Sequence, residues 1–220
     1  MNILTDKISL HKHKFDLYFD YLIKTNLVHN LTAIVDYEDV LAKHFLDSIT
    51  AEHLLPTNAN MLDIGAGAGF PSVPIKIMRD DIKVTMLDSV AKKVNFLKEL
   101  INILDLSDIK AIHTRVEDYK DKGLYDIVVS RAVAGLPTLV EYALPFLKVG
   151  GKFVAYKSNN IESELIKAKS AIQICGGTLD DILEVKIDRY TTRKLITIKK
   201  ESPTPSGYPR RGNKPRLKPL

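Results

Sequence analysis

MLDIGAGAGFP, residues 61–71, is an apolar strand that runs directly into Gly65, Gly67 and Gly69. Glycine carries no Cβ, so the chain turns sharply there and a ligand can lie against its backbone. The next apolar run, KVTMLD, ends at Asp88, about twenty residues further on, where an acidic side chain accepts hydrogen bonds from a ribose. A glycine loop followed by an acid at the next strand end predicts a nucleoside-cofactor site in an α/β fold.

The glycine spacing separates two cofactor chemistries. A dinucleotide fingerprint, G-x-G-x-x-G/A, needs a small third residue for close helix packing near a pyrophosphate. Here that position is Phe70. The order Asp63, Ile64, Gly65, Gly67, Gly69 instead resembles the first motif of class I methyltransferases, which implies S-adenosylmethionine. That cofactor has no phosphate, so its site needs close backbone approach and a ribose acceptor but no anion-holding helix terminus.

A chain of 220 residues suits one domain with additions and can bury roughly 70% of its unfolded surface. Cys175 is the only cysteine, which leaves no intramolecular disulfide and no thiol-rich zinc site. It sits beside a helix stop and reads as a core residue. The six histidines show no ligand spacing, so no metal is assigned. The sequence opens without a long apolar run, and no later stretch is long and apolar enough for a membrane span, which gives a cytoplasmic reading with no membrane partner. The net charge is +5, but residues 199–220 carry seven basic residues against Glu201 alone, and the other 198 residues sum to −1. Prolines 203, 205, 209, 215 and 219 would hold this basic tail extended as an arm for a polyanion.

Residues 5–26 predict an amphipathic helix, with Ile8, Phe15, Tyr18, Phe19 and Leu22 on one face. Asp36 is placed to cap a second helix in which Leu41, Phe45 and Ile49 recur every four residues. From Met61 strands and helices alternate: MLDI, a helix after Pro71 and Pro74, VTMLD, a helix over 91–104, IKAIHT and YDIVVS. A helix over 137–147 follows, then a Gly150-Gly151 stop, the strand GKFVAYK, a helix over 161–175 ended by Gly176-Gly177, and EVKIDRY with KLITIKK as an antiparallel pair. The expectation is a class I methyltransferase-like (Rossmann-like) α/β fold, its mostly parallel sheet covered on both faces. Residues 1–56 form a helical cap, 57–200 the cofactor-binding domain and 201–220 the tail.

The residues after the fourth strand, SRAV at 130–133, bear on the methyl acceptor. Amino-methyltransferases place an N/D-P-P-Y/F motif there, and none is present. Cytosine C5 methylation needs a cysteine nucleophile, which Cys175 does not suit. An acceptor that is already nucleophilic remains. Guanine N7 has an exposed lone pair and no proton, so in-line placement against the methyl group suffices and no catalytic side chain is assigned.

Taken in order, NLT at 30–32, HFLDS at 44–48, DIGAGAGFP at 63–71, LDSVAKKVNFL at 87–97, RVE at 115–117, SRA at 130–132, GG at 150–151 and YPRR at 208–211 resemble the bacterial RsmG (GidB) family. The resemblance is dense over residues 26–158 and returns at the C-terminus. It implies methyl transfer from S-adenosylmethionine to guanine N7 in small-subunit (16S) ribosomal RNA, as naked RNA or in the 30S particle, by a monomer. It also implies that Gly65 and Phe70 line the methionine end, supported by Asp63 and Gly67, that Asp88 takes the ribose, that Val116 and Glu117 hold the adenine, and that Arg131 belongs to the cofactor pocket. Asn30, Lys92, Arg210, Arg211 and Lys218 are the RNA-facing candidates. Ser72, Ser158 and Asn213 stand where the family favours glycine. Two rivals keep the same fold: a methyltransferase of small molecules or proteins, which would not need the tail, and a non-enzymatic RNA-binding module, which would not bind cofactor. A nicotinamide enzyme is disfavoured by Phe70.

Overall fold

The computed structural model describes residues 3–158, 161–187 and 191–220, with side chains from Thr5 onward. Two helices, α1 (Ile3–Leu10) and α2 (Lys12–His29), open the chain, and a short helix α3 (Tyr37–Val40) continues through a π-helical turn (Leu41–Leu46) into α4 (Asp47–Ile49). The sheet then forms from β1 (Asn60–Ile64), β2 (Lys83–Asp88), β3 (Ile109–His113), β4 (Tyr125–Arg131), β5 (Leu147–Lys157), β6 (Gly177–Lys186) and β7 (Thr192–Lys200). The connecting helices are α5 (Ser72–Met78) after β1, α6 (Ala91–Ile103) after β2, α7 (Leu136–Ala143) after β4 and α8 (Glu162–Ile174) after β5, and a last turn, α9 (Lys214–Leu217), lies in the tail.

The seven strands are ordered β3-β2-β1-β4-β5-β7-β6. Pairing is parallel from β3 to β5, while β7 runs antiparallel to both β5 and β6. Reversal of strand order between β1 and β4 opens a crevice at their carboxyl ends, and the glycine loop sits in it. Alternation along each strand divides the core between two faces. Met61, Met86, Ile127 and Val129 pack toward α2 and α6. Leu62, Leu87, Val128 and Phe153 pack toward α7 and α8.

Several element boundaries differ from the sequence expectation for local reasons. The first helix breaks at His11, and its second part runs on to His29, with Asn30 in the left-handed region at φ 49° as C-cap. Asp36 does cap α3, accepting the Asp39 backbone N–H at 3.1 Å. Gly150 and Gly151 do not stop a helix. They lie inside β5, whose pairing with β4 is interrupted between Tyr125 and Ile127. A Cβ on Gly151 would stand 2.8 Å from the Asp126 carbonyl, so the close strand approach explains that glycine better than a helix end. The hairpin strand begins at Gly177, earlier than expected, and residues 188–190 of EVKIDRY lie outside the described residues.

Candidate active site

The loop after β1 is held open by its own backbone. Gly65 adopts φ +74°, and a Cβ there would meet Val133 Cγ2 at 2.5 Å, so the turn and its packing both require glycine. The Gly67 N–H donates to Asp88 Oδ2 at 2.9 Å, and the Val90 N–H donates to Asp88 Oδ1 at the same distance. The carboxylate at the end of β2 is thereby fixed in orientation, and each oxygen keeps a further lone pair for a ligand hydroxyl.

A cavity of about 310 Å³ lies against this loop, within the range of small-ligand sites. Gly65 and Asp88 line one part of it, and Val116, Glu117 and Tyr142 another. Glu117, in a 3-10 turn after β3, is almost wholly buried, and the Arg115 guanidinium stands 3.4 Å from it. Of the two lysines opening α6, Lys93 lines this cavity, whereas Lys92 points into solvent.

Asp63 lies beneath the loop, fully buried, and accepts a hydrogen bond from Ser72. Serine at a position where the family favours glycine therefore supplies a donor to this acid. Burial raises the Asp63 carboxyl to about 7, against the lowering effects of Ser72 and Arg131. Its Oδ1 is the one buried side-chain oxygen or nitrogen among the described residues with no hydrogen-bond partner.

A second cavity, of about 540 Å³, opens on the other side of Ala132, which lines both. Ala132 itself adopts φ +57°, rare for a residue with a Cβ. Arg131, Lys43, Lys157 and Arg193 give this second space a basic lining beside His44, with one acid, Glu164, paired to Lys157 at 2.7 Å. Asp47, wholly buried, receives Arg131 Nη1 at 2.8 Å and Arg193 Nε and Nη2 at 2.7 and 2.8 Å. One carboxylate thus fixes two guanidinium groups, and charge remains for a ligand.

Arg131 is also stacked over Phe70, its Cζ 5.0 Å from the ring centroid, and Phe70 lies between the rings of Tyr18 and His44. Arg131 Nη2 lies 3.1 Å from His44 Nδ1. A guanidinium only donates, so Nδ1 accepts, and the Lys43 carbonyl 3.2 Å from the same nitrogen cannot be its acceptor. The neutral ring then carries its proton on Nε2, directed at Thr32 Oγ1 at 2.8 Å. Burial and the Arg131 charge push the imidazole down to about 4, which keeps it neutral at physiological pH. Thr32 is placed in turn by Asn26, whose side chain accepts from the Leu31 and Thr32 N–H groups and donates to the Thr32 carbonyl.

The geometry therefore divides the expected residues. Gly65, Asp88, Val116 and Glu117 come together, with Gly67 supporting Asp88 and Asp63 under the loop. Arg131 stands at the wall of the second cavity instead of lining the first, and Phe70 lines neither, being buried behind Arg131 and His44. Asn30 is exposed at a helix end, where its positive φ accounts for the residue type. Arg210 is corrected: its backbone N–H and Nε donate to Glu141 Oε1 and its Nη2 to Glu141 Oε2, so the side chain faces inward and not toward a phosphate. Arg211 and Lys218 are exposed. Sequence reading missed the roles of Asp47, Arg193, Asn26 and Glu141. A lone acid inside the apolar run LPTLVEYALPF was the available signal for Glu141, since such an acid needs a buried partner.

Among the described residues no group of three acids, histidines or cysteines could hold a metal, and no helix is long and apolar enough to cross a membrane.

The model of the family described as rRNA small subunit methyltransferase G matches residues 11–195. The chain is 44% identical to the ribosomal RNA small subunit methyltransferase G of Lachnoclostridium phytofermentans, over 97% of this chain and 92% of that protein. It is 46% identical to the protein of the same name from Acetivibrio thermocellus, over 94% of this chain and 88% of that one. Among solved structures, M. jannaschii TYW2 in complex with AdoMet superposes with a TM-score of 0.60 at 18% identity, covering 76% of this chain and 77% of that chain. At that identity the likeness concerns the fold.

Proposed function

The chain belongs to the rRNA small subunit methyltransferase G family, and from that premise we propose that its two cavities perform one methyl transfer, from S-adenosylmethionine to N7 of a guanine in small-subunit ribosomal RNA. The observation that carries the reading is the juncture at Ala132: a cavity with a ribose acceptor on one side, a basic cavity on the other.

The residues of the first cavity fit the nucleoside part of the cofactor, and Asp63 lies outside its lining, buried under the glycine loop. Asp88 accepts from the ribose hydroxyls, Glu117 and Val116 receive the adenine, and the Gly65 backbone admits the methionine portion. The unpartnered Asp63 Oδ1 suits the amino-acid ammonium. When bound, S-adenosylmethionine supplies a methyl group on a positively charged sulfur.

In the second cavity Arg131 and His44, backed by the buried Phe70, form a wall for a base, while Lys43, Lys157 and Arg193 suit the phosphates of the strand that carries it. The chain's work is placement. Bringing N7 in line with the methyl carbon can lower the barrier by several kcal/mol. The methyl group would pass from sulfur, which would keep the C–S electrons, to the N7 lone pair, so no proton would have to leave and no residue here would have to act as a base. Asp47 keeps Arg131 and Arg193 partly neutralised, which limits repulsion as positive charge moves onto the base. We propose further that the protein acts as a monomer in the cytoplasm on naked rRNA or the assembled subunit.

The test is mass spectrometry of nucleosides from small-subunit rRNA after incubation with the protein and deuterium-labelled S-adenosylmethionine. Labelled N7-methylguanosine is expected; label on another atom, or none on either naked RNA or subunits, would overturn the reading.

A further inference from the structure

The prolines and basic residues of the C-terminus read as an extended arm, yet the segment folds back onto the molecule. Arg210 is locked to Glu141, a fully buried acid of α7, and its Nη2 also donates to the Lys218 carbonyl at 2.8 Å. Thr138, one turn earlier on α7, donates to the carbonyl of the buried Pro215 at 2.8 Å. Between these two anchors Asn213 Oδ1 accepts from Arg115 Nη1 at 3.3 Å. Arg216 lines the same cavity wall as Tyr142, the neighbour of Glu141. Asn213 and Arg216 both line the cavity that holds Asp88 and Glu117.

We propose that residues 208–220 form a strap across the adenine end of the cofactor cavity, in which Asn213 and Arg216 contact the bound nucleoside and Glu141 anchors the strap. The proposal rests on the cofactor assignment of that cavity. Its chemistry is selective. A planar guanidinium and an amide suit the face and edge of a purine and its ribose. The same guanidinium would be repelled by the sulfonium and ammonium, and the acid suited to the ammonium, Asp63, lies elsewhere, under the glycine loop. The strap's location is also why Asn213 departs from the family's glycine without harm to the backbone: its φ of −79° requires no glycine.

The test is calorimetric titration of S-adenosylhomocysteine into the full chain and three variants, with hydrogen exchange on the same samples. Arg216→Ala combined with Asn213→Ala should weaken binding about tenfold, as expected for losing one or two polar contacts. Its melting temperature without ligand should be unchanged, because both side chains are exposed. In the wild-type chain the ligand should slow exchange of the Arg216, Leu217 and Lys218 amides, which are bonded within the strap. Asp88→Ala should lose most of the affinity, and Lys169→Ala on the outer face of α8 should keep it. Wild-type affinity in the Arg216/Asn213 variant, with loss in Asp88→Ala, would overturn the strap and leave the cofactor site standing. Wild-type affinity in Asp88→Ala as well would overturn both.

Discussion

Asp63 sets a pH limit on the protein, because its carboxyl is buried with one oxygen unpaired and is raised to about 7, above its unfolded value of 3.8. A carboxyl raised on folding favours the folded state fully below the unfolded pKa, and that contribution disappears as pH rises through the folded one. Between pH 4 and pH 8 the wild type should therefore lose on the order of 4 kcal/mol relative to Asp63→Asn, measured by urea unfolding across that range. Parallel pH profiles would remove the argument. Saturating S-adenosylhomocysteine should recover much of the loss at pH 8 in the wild type, where the cofactor ammonium meets the ionised acid, and less in the variant. His44 works in the opposite sense: its pKa is depressed to about 4, so stability is held above the unfolded value of 6.5 and lost as pH falls through 4. At Asp47 the issue is charge. Asp47→Ala would leave Arg131 and Arg193 without their shared acceptor, at a cost of about 3–5 kcal/mol of stability. Asp47→Asn, which still accepts one bond, should lose less, and thermal melts of the pair give the comparison.

At the scale of elements, the glycine loop is coupled to the loop after β4 through Gly65 and Val133. Gly65→Ala should destabilise by about 1–3 kcal/mol, part from the left-handed backbone and part from the clash with Val133. Adding Val133→Ala should restore only the second part, and a double-mutant cycle on melting data separates them. Complete additivity would mean that Val133 moves aside. Elements of this kind were legible in the sequence because their signals are local: glycines at positive φ, an acid at a strand end, Asp36 three residues before the N–H it caps. The π-helical turn bearing Lys43 and His44 carried no such signal, since its hydrophobic spacing is that of an ordinary helix. The partners of the basic cavity were also hidden. Arg131 finds Asp47 across 84 residues and Arg193 finds it across 146, and no local period encodes such a pairing. The tail was misread for the same reason, since its proline and charge content describes the unbound segment and not the Glu141 that receives it 69 residues earlier.

On the scale of the whole molecule, the N-terminal helices share one apolar cluster with the elements that support the loop. Tyr18 donates to the Ala68 carbonyl inside the glycine loop at 2.5 Å and stacks on Phe70 at 5.3 Å. Phe15 packs on Phe45 at 5.0 Å, and Tyr21 stacks on Phe96 of α6 at 5.1 Å. One apolar cluster runs without interruption from Ile8 through Phe45 and Phe70 to Leu97 and Leu195. Removing residues 1–56 would strip this face from water-excluding contact and delete Asp47, which leaves two arginines facing an emptied pocket. Burial of each large apolar side chain is worth about 1.5–3 kcal/mol, and a domain's whole stability is about 5–15 kcal/mol, so the loss of several at once exceeds what the sheet can hold. The full chain should then unfold in a single transition, with near- and far-ultraviolet circular dichroism coinciding. A chain beginning at Thr57 should show no cooperative transition and no S-adenosylhomocysteine binding. A fragment that melted cooperatively and bound the ligand would show instead that the helices are an accessory to RNA recognition, and that the glycine loop keeps its shape without Tyr18 beneath it.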